Sequence, residues 1–508
     1  MKIFTFRVLI KSFTLPALFT ASLLSSCNTA STTQTATDAA ADVEAVAVEA
    51  VTVAAAPAAT AINRNPEVEE TLWNQHASMK TTINSSNVGS MALNWKYATP
   101  TPVSHTPLVD ETGIYFGDWG GTVYKVDAST GKLIWKKEIE KPQTMWPWHG
   151  FAGTGTLGEG KLFEASVEGT AFALNPATGD VLWKTRFTDD TEAGNLSTLL
   201  YHDGLVYIGV SSVEEPMTGM KKDFKPDFQG KVVALRASDG TLAWERVLVE
   251  PPHNGCAVWS SFALDPDLNM LYFTTGNNYT GEATNMSDAI IAVDAKTGQV
   301  KWHNQVTQHD VWTKADQKGP DYDFAGGPQL FVADVNGQPR KLVGAGQKSG
   351  IFYSFDAQTG EKIWSTNIGY GGIDGGMHGE ASIGDGSVLT WSNNSYVHTM
   401  PPDKVKISVK KLNAATGEHQ WVVNHAQPAA IVPGYLANDV YFLGSLDGTL
   451  QAYNAKDGKQ LMTTKVPAPI ISWLWVDGNN LYFGGGVPGM FKWADKGENG
   501  VYAYTVKR

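Results

Sequence analysis

The sequence predicts an all-β chain: an eight-bladed β-propeller of four-stranded antiparallel blades, closed by its own two ends. Three observations predict it. A phrase recurs along the chain, its copies lie roughly 40 to 60 residues apart, and one copy is split between the termini. The phrase reads GTVYKVDASTGKLIW at 121–135, GTAFALNPATGDVLW at 169–183 and GKVVALRASDGTLAW at 230–244. It returns as AIIAVDAKTGQVKW at 289–302, GIFYSFDAQTGEKIW at 350–364 and VKKLNAATGEHQW at 409–421, and more weakly as GTLQAYNAKDGKQLM at 448–462. An alternating apolar run, a Thr-Gly or Asp-Gly turn and a second short run make a hairpin.

The split copy justifies the closure. The chain ends in GVYAYTVKR at 500–508, half a phrase without its turn, and the other half stands near the front as NVGSMALNW at 87–95. Pairing the two in one blade closes the ring and leaves only short, protected edges. The phrase ends at Trp95, Trp135, Trp183, Trp244, Trp302, Trp364, Trp421 and Met462, eight blades in all. These Trp rings are expected to pack on the neighbouring blade's turn, a structural role that carries no chemistry.

In chain order, Lys2, Arg7 and Lys11 precede an apolar stretch that ends in Leu24-Ser25-Ser26-Cys27. This predicts a secretory leader over 1–26. It also matches the bacterial lipoprotein box, in which Cys27 becomes the lipidated N-terminus. Asn28 in place of Asp points to the outer membrane, with a periplasmic chain held by lipid alone. Residues 27–65 are Ala, Thr, Val and acids without an aromatic residue, the composition of a flexible tether. The propeller domain is placed at 66–508. Removing the three leader cations takes the formal charge from −12 to −15. No basic stripe interrupts it, so nucleic acid is not an expected partner. Cys27 and Cys256 are the only cysteines, which leaves no internal disulfide once Cys27 is lipidated, and no Cys-x-x-Cys-His for a haem.

Chemistry is expected between the repeats, in loops on one face of the ring. Four segments depart from the plain phrase: VYIGVSSVEEP at 206–216, the stretch 255–281 with Trp259 and Gly276-Asn277-Asn278, the Asp-rich 309–331, and GAGQKSG at 344–350 with Lys348. Together they offer hard oxygen donors, an aromatic face and a cation. Carboxylates with an amide suit Ca²⁺ rather than a soft metal.

These segments, with the repeat, resemble the quinoprotein alcohol dehydrogenases, which bind pyrroloquinoline quinone (PQQ) and Ca²⁺ in an eight-bladed propeller. The polyvinyl alcohol dehydrogenase-like branch is the most similar. It shares the YFGDWGGTVYKVDASTGKLIW opening, the GPDYDF loop, the AGQKSG turn and GGIDGGMHG at 371–379. The resemblance covers nearly all of 72–508. It implies Glu214, Asn277 and Asp323 as metal ligands. Trp259 is implied as the ring-stacking platform, with Ser211, Ser197 and His149 as further cofactor contacts. Lys348 is implied as the cation on the quinone oxygens. The family places its base directly after the Trp of His-Asp-x-Trp, where this chain has Thr313. An inserted TKADQKGPDY moves the match to Asp323, with Asp321 and Asp310 as alternatives. The family's adjacent Cys pair is absent.

The resemblance implies alcohol oxidation by hydride removal. Asp323 takes the hydroxyl proton, Ca²⁺ polarises the quinone carbonyl, and Lys348 stabilises the negative charge that develops. Electrons would pass to an external cytochrome c, and a secondary or polymeric alcohol is favoured as substrate. Two other readings use the same ring. One is the scaffold lipoprotein of the barrel-assembly machinery, which binds a partner and no quinone. The other is a degenerate quinoprotein.

Overall fold

The computed structural model describes residues 71–142, 148–394, 406–426, 431, 434–486 and 497–507. The expected leader, Cys27 and the tether lie outside the described residues. Eight antiparallel sheets follow one another around the ring. Blade 1 spans 108–138, blade 2 156–186, blade 3 200–247 and blade 4 263–305. Blade 5 spans 329–367, blade 6 382–426 and blade 7 435–465. Blade 8 takes Trp475–Asp477, Asn480–Gly485 and Gly500–Val506 from the end of the chain and Met91–Ala98 from its front. The last two strands pair from Met91–Val506 to Ala98–Gly500, the expected closure.

The second and third strands of a blade are covered by its neighbours on both faces, so their apolar residues are buried, as in Gly113–Gly117 and Thr122–Val126. The outer strand, such as Leu133–Glu138, alternates at the surface. Burying one Val, Leu or Ile side chain is worth about 1.5 to 3 kcal/mol, and the clusters between blades repeat that contact around the ring.

The recurring Trp links each blade to the next. Trp95, Trp135, Trp183, Trp244, Trp302, Trp364 and Trp421 donate their indole N–H to the carbonyls of Ala128, Pro176, Ala237, Ala295, Ala357, Ala414 and Ala455, over 3.0 to 3.1 Å. Each ring lies on the glycine of that turn, whose φ of 66 to 76° favours glycine. Any Cβ there would fall 2.5 to 2.9 Å from the indole. Met462 now has a physical reason. It would have to reach the corresponding turn of blade 8, and that turn does not exist, because its two flanking strands are the chain's two ends.

One element was not foreseen. The carbonyls of Leu72, Trp73, Gln75 and His76 accept the N–H groups of Leu264, Leu330, Ile383 and Leu436, in the first strands of blades 4, 5, 6 and 7. Ala77–Ser78 then pairs in parallel with Tyr435–Ala437, and Thr82 N–H reaches the Gly478 carbonyl of blade 8. Residues 72–82 thus form a strap along the inner edges of five blades. Among the described residues, no helix is long and apolar enough to cross a membrane.

Candidate functional site

Strand direction alternates within a blade, so the connection from second to third strand and the connection to the next blade emerge on the same face. All four unusual segments are such connections, in blades 3 to 5.

The first follows strand Leu205–Ser212. Its chain turns into a short helix, Glu214–Met220, and Ser212 Oγ accepts the Glu214 N–H at 2.9 Å. Adjacent helical residues point about 100° apart, so the two glutamates cannot share a role. Glu214 turns away: its Oε2 accepts the N–H groups of Asp227 (3.0 Å) and Phe228 (2.8 Å), which ties down the returning chain. Glu215 instead faces Asp321 and Asp323. One carboxylate oxygen from each of the three lies within 4.8 Å of the others.

The insertion is the second construction. Gly319 N–H returns to the Val311 carbonyl at 2.8 Å, so the excursion is pinched off at its base. Asp310 does the pinching. Its carboxylate accepts the N–H groups of Asp321 (3.2 Å) and Tyr322 (2.7 Å). Both of its oxygens hold the loop, and the chain resumes as though residues 312–320 were a side branch. This is how Asp323 reaches the site although Thr313 follows Trp312.

Asp323 is then fixed from two sides. Its Oδ1 accepts the Asn277 N–H at 2.7 Å and its Oδ2 lies 3.3 Å from Lys348 Nζ. Gly276 makes the first contact possible, since a Cβ there would stand 2.9 Å from Asp323 Oδ1. The Asn277 amide nitrogen donates to the carbonyls of Asn278 (2.6 Å) and Trp312 (2.8 Å), leaving its oxygen as the remaining acceptor. Lys348 Nζ donates to Asp321 Oδ1 at 2.6 Å, and its N–H to the Asp323 carbonyl at 3.1 Å.

The electrostatics follow from burial. Lys348, Asp321 and Asp323 are at most 5 % exposed. Burial alone would lower the Lys348 ammonium, but the Asp321 and Asp323 charges outweigh it and hold its pKa above the usual lysine value. Burial raises Asp321 well above the carboxylate range, with Lys348 acting against it. Burial, then the Asp323 charge, push Glu215 up to about 8. Asp288, fully buried nearby, is raised by burial and then by Asp323. Fully ionised, the three carboxylates would exceed the one ammonium by two negative charges, an excess that burial resists by raising Glu215 and Asp321. Buried charge in that excess calls for a cation, and an all-oxygen donor set selects a hard one. The residues present therefore fit a bound Ca²⁺-like ion.

The remaining predicted residues have partners of their own. Trp259 is half-buried in the connection from blade 3 to blade 4, packed beside the cluster that holds Phe228 and Tyr279. Ser211 Oγ donates to the Gly194 carbonyl at 3.4 Å. Ser197 Oγ accepts from Asn195 Nδ2 (2.7 Å) and Gly209 N (3.2 Å), so it braces the inner edge of blade 3. His149 is half-buried before blade 2, and burial lowers its pKa. Sequence reasoning missed Glu215. Ser-x-x-Glu matched the first of two adjacent acids, and nothing in the pattern says which one the helix turns inward.

Comparison with known proteins follows the same division. Residues 250–368 match the family model described as "Glucose/ethanol/alcohol dehydrogenase, beta-propeller domain", and residues 405–507 match "Outer membrane protein assembly factor BamB". A polyvinylalcohol dehydrogenase from Sphingopyxis sp. (strain 113P3) is 26% identical over 425 residues, covering 75% of this chain and 64% of that protein. The chain therefore spans less than two-thirds of the polyvinylalcohol dehydrogenases it matches. Among solved structures, quinohemoprotein alcohol dehydrogenase from Comamonas testosteroni aligns with a TM-score of 0.72 at 21% identity, covering 87% of this chain and 80% of that one. BamB from Moraxella catarrhalis aligns at 0.55 and 15%, covering 82% and 99%. These two likenesses are of fold. The chain is thus similar to PQQ-type alcohol dehydrogenases over its middle blades and to BamB over its last ones.

Proposed function

We propose that this chain is a PQQ- and metal-dependent dehydrogenase that oxidises an alcohol. The observation that carries the reading is the Glu215–Asp321–Asp323 cluster, with both aspartates buried, shared with Lys348, and with Asn277 fixing one face of Asp323. Glu215, Asp321, Asp323 and the Asn277 amide oxygen would hold the cation, and Trp259 and Lys348 would receive the quinone. When bound, the quinone supplies a hydride acceptor and the cation a Lewis acid.

The chain's own residues do the rest. Asp323 accepts the hydroxyl proton as general base. The Asn277 N–H on Oδ1 orients it, and the Lys348 ammonium lies 3.3 Å from its Oδ2. Lys348 also places positive charge where negative charge develops during the transfer. Gly276 leaves room for the Asp323 carboxylate. The Asp310-pinched loop keeps Asp321 and Asp323 in register.

A secondary or polymeric alcohol as substrate, an external cytochrome c as acceptor, and a periplasmic chain held to the outer membrane through lipid on Cys27 complete the proposal. The scaffold reading draws support from the BamB-like match, but that match covers blades 6 to 8, whereas the acidic cluster stands in blades 3 to 5. The test is reconstitution with PQQ and Ca²⁺. Quinone retained through gel filtration, released by chelation, with alcohol-dependent dye reduction is the expected result. Asp323→Ala should lower turnover about a hundredfold to ten-thousandfold even where excess Ca²⁺ keeps quinone bound. No retained quinone, together with capture of an outer-membrane assembly partner, would overturn the reading in favour of the scaffold.

A further inference from the structure

Glu380 plays no part in the chemistry above, yet it is 1 % exposed and stands where the two halves of the site meet. Its Oε1 accepts the Ser261 hydroxyl at 2.6 Å and the Gly327 N–H at 2.8 Å. Ser261 follows Trp259 by two residues, and Gly327 follows Asp323 by four. One carboxylate oxygen therefore joins the segment carrying the aromatic platform to the segment carrying the acids. From the strap, Asn74 Nδ2 makes a second bridge between the same segments, donating to Ser261 Oγ at 2.8 Å and to the Pro328 carbonyl at 3.0 Å. Asn74 adopts φ 56°, a left-handed conformation uncommon outside glycine.

The joint has no slack. A Cβ on Gly326 would fall 2.1 Å from the Gly379 carbonyl oxygen, and one on Gly327 would fall 2.3 Å from the Ser261 carbonyl oxygen. Three backbones thus meet face to face, held by one carboxylate and one amide. A single acceptor atom that serves a hydroxyl and an N–H at once needs two lone pairs, which a carboxyl or an amide oxygen has and an apolar side chain lacks.

We propose that Glu380, with Asn74 of the strap, is a positioning residue that sets the spacing between Trp259 and the Glu215–Asp321–Asp323 cluster. It acts through Ser261 and Gly327 and touches no reacting atom. The proposal rests on the cation reading above, and a metal probe tests both separately. Tb³⁺ alone is titrated into the full chain, and emission sensitised by tryptophan is measured. Subtracting the Trp259→Phe signal isolates the Trp259 contribution.

Glu380→Ala should weaken Tb³⁺ binding about tenfold to a hundredfold, the range for groups that orient ligands. It should also change the Trp259-sensitised emission per bound ion at saturation, which a loss of fold stability alone would not do. Glu380→Gln keeps the oxygen acceptor and should restore both. Should Glu380→Ala not fold, Asn74→Ala removes one bridge and Ser261→Ala the hydroxyl that both bridges share, and each should show the same change. Parent-like affinity and emission in the folded variants would overturn the proposal alone. Failure of the parent to bind Tb³⁺ would overturn the cation reading and this proposal with it.

Discussion

Glu214 and Glu215 are neighbours in sequence but should respond to mutation in opposite ways. Glu215 carries the larger consequence. Its carboxyl is moved from 4.5 to about 8 by burial and by Asp323. A raised carboxyl binds its proton more tightly in the folded chain than in the unfolded one. The ionised form therefore costs the metal-free fold nothing below pH 4.5 and progressively more above it. At pH 7 about 2.5 pH units of that window have been crossed, and at 1.36 kcal/mol per unit the penalty is about 3 kcal/mol. Glu215→Gln removes the charge and keeps the shape. The metal-free variant should be more stable than the parent by up to about 3 kcal/mol at pH 7, with the gain vanishing near pH 4.5. The same variant should bind Ca²⁺ about a hundredfold less tightly, because ligand charge sets affinity in such sites. Glu214→Ala should do the reverse. It leaves the N–H groups of Asp227 and Phe228 without their acceptor, at about 1 to 3 kcal/mol for the buried Phe228 N–H and less for Asp227, offset in part because burial also raises the Glu214 carboxyl to about 8, and should leave Ca²⁺ affinity nearly unchanged. Urea denaturation in chelator, beside calorimetric Ca²⁺ titration, reads both effects. A destabilised metal-free Glu215→Gln, or a Glu214→Ala that loses Ca²⁺ while Glu215→Gln keeps it, would refute the assignment.

Three further outcomes are expected. Calcium affinity should rise from pH 6 to pH 8, because Glu215 and Asp321, both raised by burial, must release protons to bind it; a flat profile by calorimetry would remove them from the ligand set. Cys256 is fully buried and burial pushes its thiol up to about 12, so in a Cys27→Ser background Ellman's reagent should find no thiol until the chain is unfolded. Trp364 is 8 % exposed and donates to Ala414 across the blade boundary. Its replacement by Ala should cost about 3 to 5 kcal/mol, whereas Met462→Ala, half-buried and facing no turn, should cost under about 2 kcal/mol; equal losses in thermal unfolding would contradict the account of the inter-blade hook.

The ring was legible because its determinants are local and repeated. Each hairpin carries its own alternation, its turn glycine and its Trp, so every copy announces a blade without knowledge of the others. Even the exception at Met462 follows from connectivity, since the turn it would cover is interrupted by the two termini. The placement of the site was legible at Gly276-Asn277 and Lys348, which the structure brings against Asp323. It was not legible where long-range contacts decide. Glu214 and Glu215 fit the same short pattern. The choice between them is made by backbone amides thirteen and fourteen residues beyond Glu214, at Asp227 and Phe228. Glu380 stands one residue past the 371–379 segment that marked the resemblance, and its partners lie 119 and 53 residues away. Asn74 belongs to no repeat, and its partners are 187 and 254 residues distant.

That pattern bears on how such a ring acquires chemistry. Blades can be repeated cheaply because each is stabilised by the same hook. Ligands cannot, because a single centre needs unlike residues brought to one point. Here the residues proposed for that part come from the connections of three consecutive blades: Glu215 from blade 3, Asn277 from blade 4, Asp321 and Asp323 from the crossing into blade 5, and Lys348 within it. The extra length in those connections carries acids that would repel one another if left alone. Asp310 spends both oxygens on the loop backbone, and Glu380 and Asn74 lock the floor beneath it. Rigid support of this kind lets three carboxylates be held at one place in the absence of their cation, and it is why the residues around the centre should govern its affinity for metal as strongly as the ligands themselves.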